Sequence, residues 1–66
     1  MRIEYVLRDI RKSKNMTLRE LSRKTGISRS YLSEIERNEK KPSFNYMIII
    51  SKALNVQLEE LYREIR

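Results

Sequence analysis

Thr17-Leu-Arg-Glu-Leu-Ser-Arg-Lys-Thr-Gly-Ile-Ser-Arg-Ser-Tyr-Leu-Ser-Glu-Ile-Glu36 is the stretch that decides how this chain folds. Thr17, followed three residues later by Glu20, has the spacing of a capping box. In that arrangement hydroxyl and carboxylate each satisfy a backbone N–H that the first helical turn leaves without a partner. Leu18 and Leu21 then make one short apolar edge. Gly26 supplies the positive φ that ends a helix and turns the chain sharply. Ser28 is placed to cap a second helix, whose apolar edge is Tyr31, Leu32 and Ile35. The spacing therefore predicts two short helices, about 17–25 and 28–36, around a tight turn at Thr25-Gly26-Ile27. The other edge of the second helix presents Arg29, Ser30, Ser33, Glu34 and Arg37. Those side chains can hydrogen-bond to base edges and phosphates, which suits a helix entering the major groove of duplex DNA.

Outward from this pair the pattern stays helical. Ile3, Val6, Leu7 and Ile10 recur at helical spacing and predict a first helix over about 3–13, closed by Asn15 in a left-handed conformation. Asn38 is expected to hold another left-handed turn within the polar loop Arg37–Lys41. Ser43 is the expected N-cap of a fourth helix, 43–54, with Phe44, Met47, Ile50, Ala53 and Leu54 as its buried stripe and Asn55 at its end. Leu58, Leu61, Tyr62 and Ile65 suggest a fifth helix, 57–64, with a narrow apolar edge. The expected fold class is all-α, a compact orthogonal bundle of five helices. With one Gly, one Pro and no Ser/Gly-rich segment, residues 1–66 read as a single domain without a linker or separate effector domain.

Composition narrows the chemistry. A chain of 66 residues has room for one small core, and pairing with a second copy is a natural remedy for marginal stability. Cysteine and histidine are both absent, which removes disulfides, thiolate or imidazole metal ligands and the commonest general base. No metal or cofactor is expected, and no membrane span or signal peptide is visible, so a soluble, cytoplasmic protein is anticipated. Fifteen basic against nine acidic residues give a net charge of +6. Residues 8–41 hold eleven basic and five acidic side chains, so the excess lies in the segment around the helix pair. Such density attracts a polyphosphate backbone through counterion release.

These residues together resemble the lambda-repressor/Cro-like helix-turn-helix family, the xenobiotic-response-element type of bacterial and phage transcriptional regulators. The resemblance runs over about residues 3–61. It rests on Leu7-Arg-Asp-Ile-Arg11, Thr17-Leu-Arg-Glu-Leu21, Thr25-Gly-Ile-Ser28, Tyr31-Leu-Ser-Glu-Ile-Glu36, Lys41-Pro-Ser43 and Ala53-Leu-Asn-Val56 in that order. It implies that Arg29, Ser30, Ser33 and Glu34 face bases. It also implies that Ser28, Arg37, Asn38 and Lys40 face phosphates, and that Arg11 pairs with Glu36. Tyr31 packs at the core edge with its hydroxyl within possible reach of the backbone. Where the family often carries a phosphate-anchoring Gln, this chain has Leu18, so Thr17 or Arg19 takes that contact or it is missing. Gln57 is a poorer cap than the family's usual small polar residue.

Ile49 lies beside rather than within the buried stripe of the fourth helix, and with Tyr46, Tyr62 and Ile65 it could form an apolar patch. The expectation is a homodimer through the fourth and fifth helices, with two recognition helices roughly 34 Å apart on a palindromic operator. The leading function is thus a sequence-specific transcriptional regulator, expected to be a repressor, that binds double-stranded DNA and uses no small-molecule ligand. An alternative is a protein-binding module, antitoxin-like or anti-repressor-like, that uses the apolar C-terminal patch. An enzyme is not expected.

Overall fold

A computed structural model describes residues 2–66. Strand β1 (Arg2–Tyr5) is followed by four α-helices, α1 (Leu7–Ser13), α2 (Leu18–Thr25), α3 (Arg29–Glu36) and α4 (Phe44–Leu54). A single 3-10 turn (Leu58–Leu61) then leads into strand β2 (Tyr62–Ile65). The two strands pair antiparallel, with Arg2 opposite Ile65, Ile3 opposite Glu64, Glu4 opposite Arg63 and Tyr5 opposite Tyr62.

The central helices begin and end where local chemistry dictates. Thr17 Oγ1 accepts from the Glu20 N–H at 3.0 Å, and the Glu20 carboxylate accepts from the Thr17 N–H at 2.9 Å. Ser28 and Ser43 cap α3 and α4, accepting from the Tyr31 and Tyr46 N–H groups at 3.1 Å each. Gly26 stands at φ 75° and ends α2, while Asn15, Asn38 and Asn55 occupy the left-handed region at φ 55°, 60° and 57°. A Cβ at Gly26 would meet nothing within 4 Å, so the backbone angle and not crowding asks for glycine there.

The all-α, five-helix expectation needs correction at both ends. Residues 3–5 leave the predicted first helix and join β1 (Arg2–Tyr5), while residues 62–64 leave the predicted fifth helix and join β2 (Tyr62–Ile65). Only one 3-10 turn remains of that fifth helix, and it starts with the Glu60 carboxylate accepting from the Gln57 N–H at 2.7 Å. The physical reason is pairing between distant segments rich in Ile and Tyr, residues that suit a pleated, half-buried surface. Across the ribbon the Arg63 guanidinium meets the Glu4 carboxylate at 2.6 Å. At its inner end the Asn38 amide grips the Tyr5 backbone twice. It accepts from the N–H at 2.7 Å and donates to the carbonyl at 3.1 Å.

Leu7, Leu21, Leu32, Ile35, Ile50, Leu54 and Leu61 form the fully buried centre, with Ile27 and Met47 completing it. Every helix and the 3-10 turn contribute to this core, so α3 is held from behind while its outer edge stays free. Among the described residues no helix is long and apolar enough to cross a membrane.

Candidate nucleic-acid interface

The turn between α2 and α3 is fixed by side chains on either side of Gly26. Ser22 Oγ donates to the Ile27 carbonyl at 2.6 Å. Thr25 Oγ1 donates to the Leu21 carbonyl at 2.8 Å and accepts from the Ile27 N–H at 3.1 Å. Ile27 drops into the core and pins the turn from inside. With α3 packed through Leu32 and Ile35, its opposite edge projects as a ridge.

That ridge frames a shallow groove of about 580 Å³, lined by Leu18, Arg29, Ser30, Ser33, Glu34 and Arg37. All four residues expected to face bases are therefore gathered on one surface. A second cleft continues it toward α1 and shares Leu18, Ser33 and Arg37, adding Arg8 and Arg11. Arg8 is a cation the sequence reading overlooked. Its spacing of three from Arg11 on a helix puts both on one edge, and that was the available signal.

Behind the groove Arg11 and Glu36 join α1 to the end of α3. Arg11 Nε and Nη2 donate to the two Glu36 oxygens at 2.6 and 3.1 Å, and Nη1 donates to the Met16 carbonyl at 2.9 Å. The side chains are only 11% and 7% exposed, so the pair is shielded from water and ties the back of the recognition helix to the scaffold.

Arg37 is engaged on the protein itself. Its Nη1 donates to Ser33 Oγ and its Nη2 to the Glu39 carboxylate at 3.0 Å. The bond to Glu39 holds the Arg37 guanidinium above its ordinary pKa, and the same bond lowers the Glu39 carboxyl. Glu34, in contrast, makes no ion pair with Arg37 or Lys41 among the described residues.

The remaining expected contacts are distributed unevenly. Thr17 and Ser28 use their hydroxyl oxygens as helix caps and retain protons to donate. Tyr31 is half-buried, with its ring edge-on to Tyr46 at a centroid distance of 5.4 Å. Arg19 is exposed and lines neither cleft. The Asn38 amide is turned to the Tyr5 backbone. Lys40 lies beside Arg2, Glu4 and Ile65 at the ribbon, away from the groove on α3.

The expected dimer residues do not line a single cleft. Tyr62 lines an apolar groove of about 410 Å³ with Ile3, Tyr5, Phe44, Met47 and Leu58. Ile65 instead lines the cleft beside Lys40 and Lys41, and Tyr46 packs on Tyr31. Ile49 is exposed on α4, and Phe44, at 66%, is the most exposed large apolar side chain of the described residues. Tyr62 and Ile65 part company because they sit three apart on a strand rather than on a helix, and alternate residues of a strand point to opposite faces.

The same fold recurs in known proteins. The helix-turn-helix family model matches residues 7–61. The HTH-type transcriptional regulator SinR of Bacillus subtilis is 39% identical over 59 residues, covering 88% of this chain and 53% of the relative. The immunity repressor protein of Bacillus phage phi105 is 33% identical over 64 residues, covering 97% of this chain and 44% of the relative. In the crystal structure of the clp gene regulator ClgR from Corynebacterium glutamicum, 83% of this chain aligns with 70% of that one. The TM-score is 0.80 at 36% identity. The chain spans about half the length of the curated relatives it matches.

Proposed function

The chain belongs to the helix-turn-helix family, and from that premise we propose that it is a sequence-specific DNA-binding unit of a transcriptional repressor. The observation that carries the proposal is the groove that gathers Arg29, Ser30, Ser33 and Glu34 on the free edge of α3, within a chain of net charge +6. Arg29 can fork onto guanine N7 and O6, and Glu34 can accept from a cytosine amino group. Thr17, Ser28 and Arg8 supply donors toward the flanking phosphates, and the Arg11–Glu36 pair keeps α3 in place behind them. Repression requires only that a promoter be occupied.

We propose further that two copies act together on an inverted repeat, each placing α3 in the major groove one helical turn from the other. Selection from a random duplex pool tests both statements. Enrichment of an inverted repeat with half-sites about one turn apart is the expected result. Failure to enrich any sequence would overturn the DNA-binding proposal.

A second reading, a protein-binding module, is favoured by the apolar groove around Phe44 and Tyr62. Salt separates the two. A DNA complex weakens steeply as salt rises, whereas an apolar protein contact does not.

A further inference from the structure

The serines of this chain do not spend their protons alike. Ser13, Ser22 and Ser51, all helical, donate to the carbonyls of Ile10, Ile27 and Ile48 at 2.6, 2.6 and 2.8 Å. Ser33, also helical, is an acceptor instead, receiving a proton from Arg37 Nη1. Arg37 is itself steadied by the Glu39 carboxylate at 3.0 Å. A hydroxyl carries one proton and two lone pairs. At Ser33 one lone pair is taken, a positive charge stands beside it, and no protein carbonyl among the described residues takes the proton. A group in this state is biased toward donating, and although one lone pair stays free, the adjacent guanidinium disfavours the approach of a second donor.

Leu18 is the other unusual feature of the surface. It is half-buried at the start of α2, and it lines both clefts in which Ser33 and Arg37 also appear. An apolar wall therefore adjoins a hydroxyl biased toward donation. In the major groove only thymine presents an acceptor, O4, next to an apolar group, the C5-methyl. Cytosine presents an amino donor to a side chain that is itself a donor. Guanine presents acceptors but no methyl group.

We propose that Leu18 and Ser33 together read one thymine, with Ser33 donating to O4 and Leu18 covering the methyl. Arg37 acts as a positioning residue that fixes the polarity of Ser33. This inference rests on the DNA-binding reading above and adds to it the identity of one base.

The test uses the full chain and the duplex enriched by selection. Leu18→Ala and Ser33→Ala should each relax preference at the same base pair, which is then a T·A pair. Replacing that thymine with deoxyuridine removes only the methyl. It should weaken wild-type binding about fourfold, the worth of one buried methyl group, and leave Leu18→Ala unaffected. Replacing it with 5-methylcytosine keeps the methyl but puts an amino group where O4 stood. That change should cost wild type roughly fivefold or more, and less in Arg37→Met, where Ser33 regains freedom to accept. Because affinity is compared within each variant, a uniform loss of phosphate contact by Arg37→Met cancels. The analogue measurements on wild type do not depend on any variant folding.

The proposal is overturned if the two alanine variants map to different base pairs, or if the shared pair is not T·A. It is also overturned if deoxyuridine costs wild type nothing or costs Leu18→Ala equally. Enrichment of no sequence at all would instead defeat the DNA-binding reading, a result distinguishable from a selected site without the thymine.

Discussion

The α2–α3 pair and the β1–β2 ribbon are both small, yet they are held in opposite ways. The helix pair is bounded by contacts between residues two to five positions apart: the Thr17–Glu20 box, the Ser22 and Thr25 hydroxyls around the turn, and the Ser28 cap. The ribbon joins residues at the two ends of the chain, and its Glu4–Arg63 contact spans 59 positions. Contacts of the first kind specify their own conformation. Those of the second exist only after the core has brought the ends together. The half that presents candidate functional groups is the locally specified one.

This contrast orders the expected effects of substitution. Glu36→Gln or Arg11→Met should be the most damaging, at about 3–5 kcal/mol, because each strands a nearly buried charge. Urea denaturation measures this directly, and a loss no larger than that of a ribbon substitution would break the comparison. Next comes Asn38→Gly, which keeps the backbone at φ 60° but releases both bonds to Tyr5. It should cost about 1–2 kcal/mol. Amide exchange should quicken at Tyr5 and its strand partners while α3 stays protected.

Thr17→Ala should cost about 1 kcal/mol by removing the cap of α2. The bonds from the Thr17 backbone and hydroxyl hold the Glu20 carboxyl below its ordinary value of 4.5. A lowered carboxyl pKa stabilises the fold above that value and loses its contribution as the pH falls through the folded one. Thr17→Ala keeps the backbone N–H, the larger cause, and removes only the hydroxyl, so it should make the acid limb of a stability curve recorded from pH 7 to pH 3 slightly shallower without abolishing it. Glu4→Gln should have the smallest effect, under about 1 kcal/mol, since its partner Arg63 is 67% exposed. A larger loss would show that the ribbon contributes to folding rather than following it.

The same contrast explains what the sequence made legible. Caps at Thr17, Ser28 and Ser43 and left-handed turns at Asn15, Gly26, Asn38 and Asn55 are local events, and each falls where side-chain chemistry places it. The ribbon escaped because Ile3, Val6, Leu7 and Ile10 fit a helical period equally well, and nothing within a local window shows that Tyr5 faces Tyr62. In the site, the spacing on α3 was enough to bring Arg29, Ser30, Ser33 and Glu34 to one edge. The commitments of Arg37 to Ser33 and Glu39, and of Asn38 to Tyr5, were not visible, because each depends on rotamers and on how a loop returns to the body. Arg8 shares an edge with Arg11 by spacing alone, but its proximity to Ser33 and Arg37 arises from the packing of α1 against α3.

The most direct test of the central claim is titration of the isotope-labelled chain with a duplex carrying the selected site, followed by amide and side-chain NMR shifts. Perturbations should concentrate at Leu18, Arg29, Ser30, Ser33, Glu34 and Arg37, with the four residues Tyr62–Ile65 unmoved. Perturbations centred on the ribbon and the groove around Phe44, with α3 silent, would contradict it.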